Sequence, residues 1–278
     1  MRVREIGEAD LSAIIALFAE GFPRRPRTYW QRGLENMGRL PVIPGHARYG
    51  YLLESDEKVQ GALLALSTED DKVGQRINVS SWCVEPAYRT VAALLHMRVM
   101  KQKAASFLNL SPAEATVPIL KVFGFKPYTA GVCLLDARAA LHPDRGWRLA
   151  PYCPSRDCDL PETLAKIAER HHRYGCTVLI LQRGSDPAEL LVYRVKRIKG
   201  ILPCAQMIYG APNLVLTAAG PLMRHLIRRS IPLALVDVVE HCDLFGARTY
   251  MGRNLRYFIG AAPNVGDMLD SELALFDY

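Results

Sequence analysis

Nothing in the 278 residues approaches the roughly 18 consecutive apolar residues that a membrane-crossing helix needs. The first ten residues, MRVREIGEAD, contain no apolar leader core. Both absences point to a chain without a membrane span, working in the cytoplasm. There is no CxxC pair. The seven cysteines (Cys83, Cys133, Cys153, Cys158, Cys176, Cys204 and Cys242) are odd in number and scattered, and most fall in apolar strand-like runs where a thiol behaves as a small hydrophobe. That excludes a disulfide framework and suits a reducing compartment. Cys153, Cys158, His171, His172 and Cys176 can be assembled on paper into a zinc set, but their spacing matches no standard pattern, and no metal is expected. Aromatic residues do not interleave with the basic runs as they do on a single-strand nucleic-acid platform, so no nucleic-acid partner is expected.

What is present is a chain that is 50% hydrophobic with a net charge of +7. The apolar content builds a sizeable core and excludes a disordered chain. The positive balance favours anionic small partners. Basic residues cluster at Arg24, Arg25 and Arg27, at Lys196, Arg197 and Lys199, and at Arg224, Arg228 and Arg229. Each cluster is read either as a solvated face or as an anion contact.

Hydrophobic periodicity predicts an α/β chain with mixed sheets. RVREIG reads as a strand. Asp10 is placed to cap a helix over LSAIIALFAEGF, and TYWQRGLENM forms a second helix. ESDEK, residues 54–58, is a hairpin turn between two strands. INVSSWCVEP is a strand ended by Pro86, VAALLHMRVMKQKA a helix, SFLNLS a strand, and AEATVPILKVFGF a helix capped by Gly124. VCLLDA closes the first half. The Pro-, Asp- and Arg-rich stretch from Ala140 to Pro161 is the linker candidate. The second half repeats the order helix, three strands, helix, strand, and SELALFDY reads as a final strand. The repetition lies in pattern only, without residue-level similarity.

One stretch carries more information than the rest. VEPAYRTVAALL, Val84 to Leu95, passes from a strand through a tight turn into a helix. Such a turn exposes unpaired backbone N–H groups, to which the helix dipole adds positive charge, and it can hold a pyrophosphate. Arg89 adds a cation, Ala92 and Ala93 are small, and no acidic residue follows in the first helical turn.

Val84, Pro86, Tyr88 and Arg89 match the V-x-P-x-Y-R start of motif A in the GNAT superfamily of acyl-CoA N-acyltransferases, and SFLNLSPAEATVPILKVFGFKPY resembles that family's motif B. The order of elements from residue 1 to about 136 also resembles the fold, and the remainder looks like a degenerate second copy, as in tandem members. The resemblance implies an acyl-CoA-binding domain at 1–140, a linker at 141–160 and a degenerate GNAT-like half at 161–278. It further implies that the strand ending at Val84 splays from SFLNLS. Acetyl-CoA or another acyl-CoA then lies in the gap against Trp82, Cys83 and Val84, with its pyrophosphate on Arg89, Thr90, Val91, Ala92, Ala93 and Leu94. An acyl group would pass to the amine or hydroxyl of a small, anionic acceptor, which Arg24, Arg25 and Arg27 could face. A monomer or homodimer is expected.

This chain departs from the family pattern in three places. The loop glycines are absent, the acid tyrosine position is Leu120, and the motif B asparagine position is Ala113. No Glu or Asp lies in INVSSWCV. Ser81, Asn109 and Ser111, with Ser80, are the candidates for orienting an acceptor or water; the alternative is that they satisfy local backbone groups. Cys83 is read as packing rather than nucleophilic, Trp82 as a core or pocket wall, and Tyr128 as a rim tyrosine that could serve as an acid. His171 and His172 are read as structural, and Asp237 as lining a cleft or capping a turn. The alternative to an enzyme is a non-catalytic acyl-CoA or nucleotide-binding regulatory module.

Overall fold

The computed structural model describes residues 1–70, 74–155 and 160–276. The chain divides into two compact units. One comprises Met1–Lys126, Arg256–Ala262 and Asp270–Asp277, and the other is built chiefly from Pro127–Leu255 with Pro263–Leu269.

The first unit contains β1 (Arg2–Glu5), α1 (Leu11–Gly21), α2 (Arg27–Gly38), β2 (Gly50–Ser55), β3 (Lys58–Asp70), β4 (Gly74–Val84), α3 (Ala93–Val99), β5 (Ser106–Asn109), α4 (Val117–Val122) and the short β6 (Lys126–Pro127). The hairpin expected at residues 54–58 is present: Ser55 pairs with Lys58, and Asp56 and Glu57 both take positive φ, 50° and 60°. Those angles are those of a two-residue turn whose twist matches its flanking strands. Asp10 does not cap α1 with its side chain. Its carboxylate accepts from the Gly7 N–H at 2.8 Å and pairs with Arg4 at 2.7 Å, a charged partner that outbids a neutral cap. Gly124 does end α4, at φ 89°, where the N–H of Phe125 reaches the Leu120 carbonyl.

The second unit contains β7 (Gly131–Leu135), β8 (Trp147–Pro151), α5 (Glu162–Arg173), β9 (Thr177–Arg183), β10 (Glu189–Ile198), β11 (Leu202–Tyr209), α6 (Pro212–Thr217), α7 (Ala219–Ile227), β12 (Leu233–Val238) and β13 (Ala247–Met251). Beyond these, β14 (Tyr257–Gly260) and α8 (Glu272–Leu275) return to the first unit.

Each unit is built on a seven-stranded mixed sheet. The first runs β1-β2-β3-β4-β5-β14-β6 and the second β8-β9-β10-β11-β12-β7-β13. The two orders are equivalent position by position, with strands exchanged: β7 pairs with β12 and β13, while β14 pairs with β5. VCLLDA therefore does not close the first half, and the segment 141–160 is not a bare linker, because β8 within it pairs with β9. Chain halves and structural units differ because a strand's partner is set by long-range pairing that its own alternation does not encode. The last segment, expected as a strand, is the helix α8. Every residue from Met268 to Phe276 is buried, so there is no polar face to distinguish the two periods. The ring of Phe276 lies where a Cβ on Gly33 of α2 would have to be, so that helix position needs glycine. Among the described residues no helix is long and apolar enough to cross a membrane.

Candidate functional site

The third and fifth strands of the first sheet flank β4 in opposite senses. On one edge β4 runs antiparallel to β3 as far as the Gly61–Val84 pair. On the other it is parallel to β5 for three pairs only, Arg76–Ser106, Ile77–Phe107 and Asn78–Leu108. From Val79 to Val84 the strand continues without β5, so the two strands fork at their carboxyl ends, the position where open α/β sheets place ligands. At the fork β4 also bulges. Leu63 stands opposite both Ser81 and Trp82, between the Leu64–Ser80 and Ala62–Cys83 pairs, and Ser81 takes φ 53°. A bulge re-aims backbone and side chains beside sites, and a non-glycine residue in the left-handed region is strain that the surroundings must hold in place.

Trp82, Cys83 and Val84 are half-buried along the forked edge. The Trp82 indole sits edge-on to His96 of α3, centroids 4.3 Å apart, and His96 stacks on Phe123 at 5.2 Å. His96 is 1% exposed, and among the described residues neither of its ring nitrogens has a hydrogen-bond partner, nor does Trp82 Nε1. Burial drives the imidazole down to about 4, so it is neutral at pH 7. The Cys83 thiol is pushed up to about 11, chiefly by burial and then by Glu85. That disfavours a nucleophilic thiolate and suits a packing role.

The stretch after Val84 winds as a 3-10 turn over Pro86–Val91 and runs into the seven-residue α3. The N–H of Tyr88 is donated to Glu85 and that of Ala92 to Arg89. Ala92 is buried and offers no free donor, which removes it from the donors expected for a pyrophosphate. Arg89, Thr90 and Leu94 are exposed, and Val91 and Ala93 half-buried.

Ser81 and Ser80 lie with their Oγ atoms 3.1 Å apart. Asn109 ends β5 opposite Tyr257. Ser111 is exposed and donates to Glu272 Oε1 at 2.6 Å. Glu272, from α8, is 3% exposed. Its own N–H reaches Asn78 Oδ1 at 3.4 Å, and Glu272 Oε2 and Asn78 Nδ2 are both buried beside each other's residue. Desolvation raises the Glu272 carboxyl, partly offset by Ser111 and Arg256. Arg256 in turn donates to the Leu110 carbonyl. Glu272, Asn78 and Arg256 are missed by sequence reasoning because no local pattern joins residues 161 apart in sequence. The one available signal is an acidic residue directly before the apolar run of residues 273–276.

Of the remaining candidates, Leu120 is fully buried and supplies core contact. Arg25 lies over the Tyr29 ring at 4.8 Å, with Arg24 and Arg27 exposed. Tyr128 falls in the second unit. His171 is buried with Nδ1 3.0 Å from the Ile167 carbonyl, and Asp237 is buried within β12. Cys158 lies outside the described residues, and among those described no group of three or more His, Cys, Asp or Glu side chains could hold a metal ion.

The second sheet repeats the fork. β11 and β12 pair in parallel from Cys204–Leu233 to Gln206–Leu235, and β11 bulges against β10 between Met207 and Tyr209. Here the forked edge is occupied by the chain itself. Tyr209, paired with Val192 on one side, bridges Asp267 on the other. The Gly210 N–H donates to Gly266 at 3.0 Å, and the Met268 N–H to Ile208 at 2.8 Å. Among the described residues no main-chain partner covers the corresponding edge of β4.

No protein-family model matches the sequence, and no curated protein matches it. Solved structures do match. A GCN5-related N-acetyltransferase from Anabaena variabilis is 11% identical at TM-score 0.61, covering 92% of this chain and 72% of its own. A tandem GNAT protein from the clavulanic acid biosynthesis pathway is 12% identical at TM-score 0.52, covering 95% and 99%. A GCN5-related N-acetyltransferase from Sphaerobacter thermophilus is 12% identical at TM-score 0.51, covering 96% and 98%. At these identities the likeness is one of fold: the chain has the tandem GNAT architecture.

Proposed function

We propose that the protein is an acyl-CoA-dependent acyltransferase whose co-substrate lies in the β4–β5 fork of the first unit. The observation that carries this reading is the uncovered run of β4 beyond Asn78, bulged at Ser81. It offers main-chain donors and acceptors to an extended ligand without a strand to satisfy them. The fold likeness to acetyltransferases supports the same reading. In it, Trp82, Cys83 and Val84 pair with the pantetheine, and a backbone N–H near Cys83 polarises the thioester carbonyl. Arg89 meets the pyrophosphate, with Thr90, Val91, Ala93 and Leu94 beside it and Ala92 serving by its small size. The acceptor is a small amine or hydroxyl compound. An acidic one suits Arg24, Arg25 and Arg27, since guanidinium groups pair bidentately with carboxylate or phosphate. The second fork, already paired with residues 266–268, takes no co-substrate.

Calorimetry with acetyl-CoA and free CoA tests the reading. Saturable binding of one equivalent per chain is expected, and no binding overturns it. The second reading is a non-catalytic acyl-CoA or nucleotide-binding regulator. It draws on Leu120, which cannot protonate a leaving thiolate, and on the His96–Phe123 stack beside Trp82. Binding without thiol release in the presence of any amine would select it.

A further inference from the structure

We propose that Ser111 and Glu272 form a proton relay at the β4–β5 fork, through which the attacking acceptor loses its proton. This inference rests on the acyltransferase reading and supplies the base that β4 itself lacks. Four observations converge. First, Ser111 lies two residues beyond β5, past the carboxyl end of that strand, and is exposed, whereas the carboxylate it touches at 2.6 Å is buried. The pair thus links an exposed hydroxyl to a buried carboxylate. Second, Glu272 is held from β4 as well, its N–H on Asn78 Oδ1, and Asn78 is the last β4 residue paired to β5. Third, Glu272 Oε2 and Asn78 Nδ2 are buried at this one place, where the Asn78 side chain favours the ionised carboxylate. Fourth, α8 is anchored independently of the carboxylate. Asn36 of α2 donates to the Leu275 carbonyl at 2.7 Å, and Phe276 lies against Tyr29 and Trp30 at 5.3 and 6.0 Å. The helix therefore does not need a glutamate in order to dock.

The groups facing Glu272 define its chemistry. Ser111 and Asn78 present a neutral hydroxyl and a neutral amide, and the cation is Arg256. Burial outweighs that cation and makes the carboxylate a stronger base than one in water. In the reaction a neutral acceptor amine attacks the thioester carbonyl carbon, and the N–C bond forms. Its surplus N–H proton passes to Ser111 Oγ as the Ser111 proton passes to Glu272 Oε1. The C–S bond breaks with its electron pair leaving on sulfur, and the thiolate takes a proton from water. Glu272 then returns its proton through Ser111 to the hydroxide so formed. Ser111 is the group that meets the acceptor, and Glu272 acts through it as a positioning and proton-accepting residue.

The test compares wild type, Ser111→Ala and Glu272→Gln in thiol release from acetyl-CoA with glutamate, aspartate and glucosamine 6-phosphate as probe amines. Acetyl-CoA affinity is measured alongside by calorimetry. General-base losses run to about 100-fold or more. The expected result is a fall in kcat of about that size in each variant, with KM for acetyl-CoA unchanged. The double variant should be no worse than either single one, and the acid limb of the pH profile, on which activity rises as Glu272 ionises, should disappear in Glu272→Gln. Unchanged kcat and pH profile in both variants overturn the relay alone. A wild type that binds acetyl-CoA but releases no thiol with any probe also overturns it. Failure of the wild type to bind acetyl-CoA overturns the acyltransferase reading and the relay with it.

Discussion

The two forks of this molecule share their topology and differ in what the C-terminal segment does at each. Both have three parallel pairs followed by divergence, and both have a bulge on the longer strand. At β11 the segment 266–268 adds main-chain hydrogen bonds and completes the sheet. At β4 the segment that follows brings a side-chain carboxylate to the fork and leaves the backbone edge uncovered. A buried strand edge must find partners, and a chain can supply them itself or leave them to a ligand. Equivalent topology therefore does not carry equivalent chemistry.

The sharpest way to break this contrast is charge reversal at the first fork. Arg89→Glu is expected to weaken acetyl-CoA binding by at least about tenfold, a loss of roughly 1.4 kcal/mol or more. Unchanged affinity in calorimetry would remove Arg89 from the site. A second test reads the neutral His96 behind the fork. Its folded-state pKa lies below its unfolded one, so between pH 6.5 and about 4 the unfolded chain binds the proton first. Stability is then full above pH 6.5 and falls as the pH drops through that window. The loss is on the order of 3 kcal/mol, and His96→Phe should flatten this part of the urea-denaturation profile. An equally steep profile in the variant would place the acid sensitivity elsewhere.

The second fork has its own test. Gly266 has φ 85°, and a Cβ there would run into the Gly210 carbonyl. Gly266→Ala is expected to lower the unfolding free energy by about 2 kcal/mol, or roughly 4–8 °C in Tm, while acetyl-CoA affinity stays as in wild type. A parallel loss of affinity would mean that the two forks are not independent. The smallest effect is expected at Cys83. With its thiol pushed up to about 11, Cys83→Ala should leave thiol release from acetyl-CoA within about twofold of wild type. A loss of a hundredfold or more would make it a nucleophile after all.

The sequence makes the first unit's local elements legible. Alternation in residues 49–69, the Asp56–Glu57 turn and the break at Pro86 all act over a few residues. The exchange of β7 and β14 is not legible, because a strand's hydrophobic pattern says that it pairs and not with which neighbour. SELALFDY misleads for a related reason: a segment buried on every side keeps no period of its own. At the site, Ser81 and Trp82 stand out through their place next to the V-x-P-x-Y-R outline, and Ser111 through the motif B resemblance. Glu272 does not, since only the folded chain brings it to Ser111. The stretch after Val84 reads as a tight turn and folds as a 3-10 turn over Pro86–Val91, because Pro86 at its start and residues without a glycine favour continued winding.

The central claim is that an acyl-CoA lies along β4 and not along β11. Amide hydrogen exchange with and without acetyl-CoA, resolved to peptides covering each fork, measures this directly. The account predicts slower exchange at Trp82, Cys83 and Val84 on adding acetyl-CoA, and no change at Ile208, Tyr209 and Gly210. Protection at residues 208–210, or at neither fork, would contradict it.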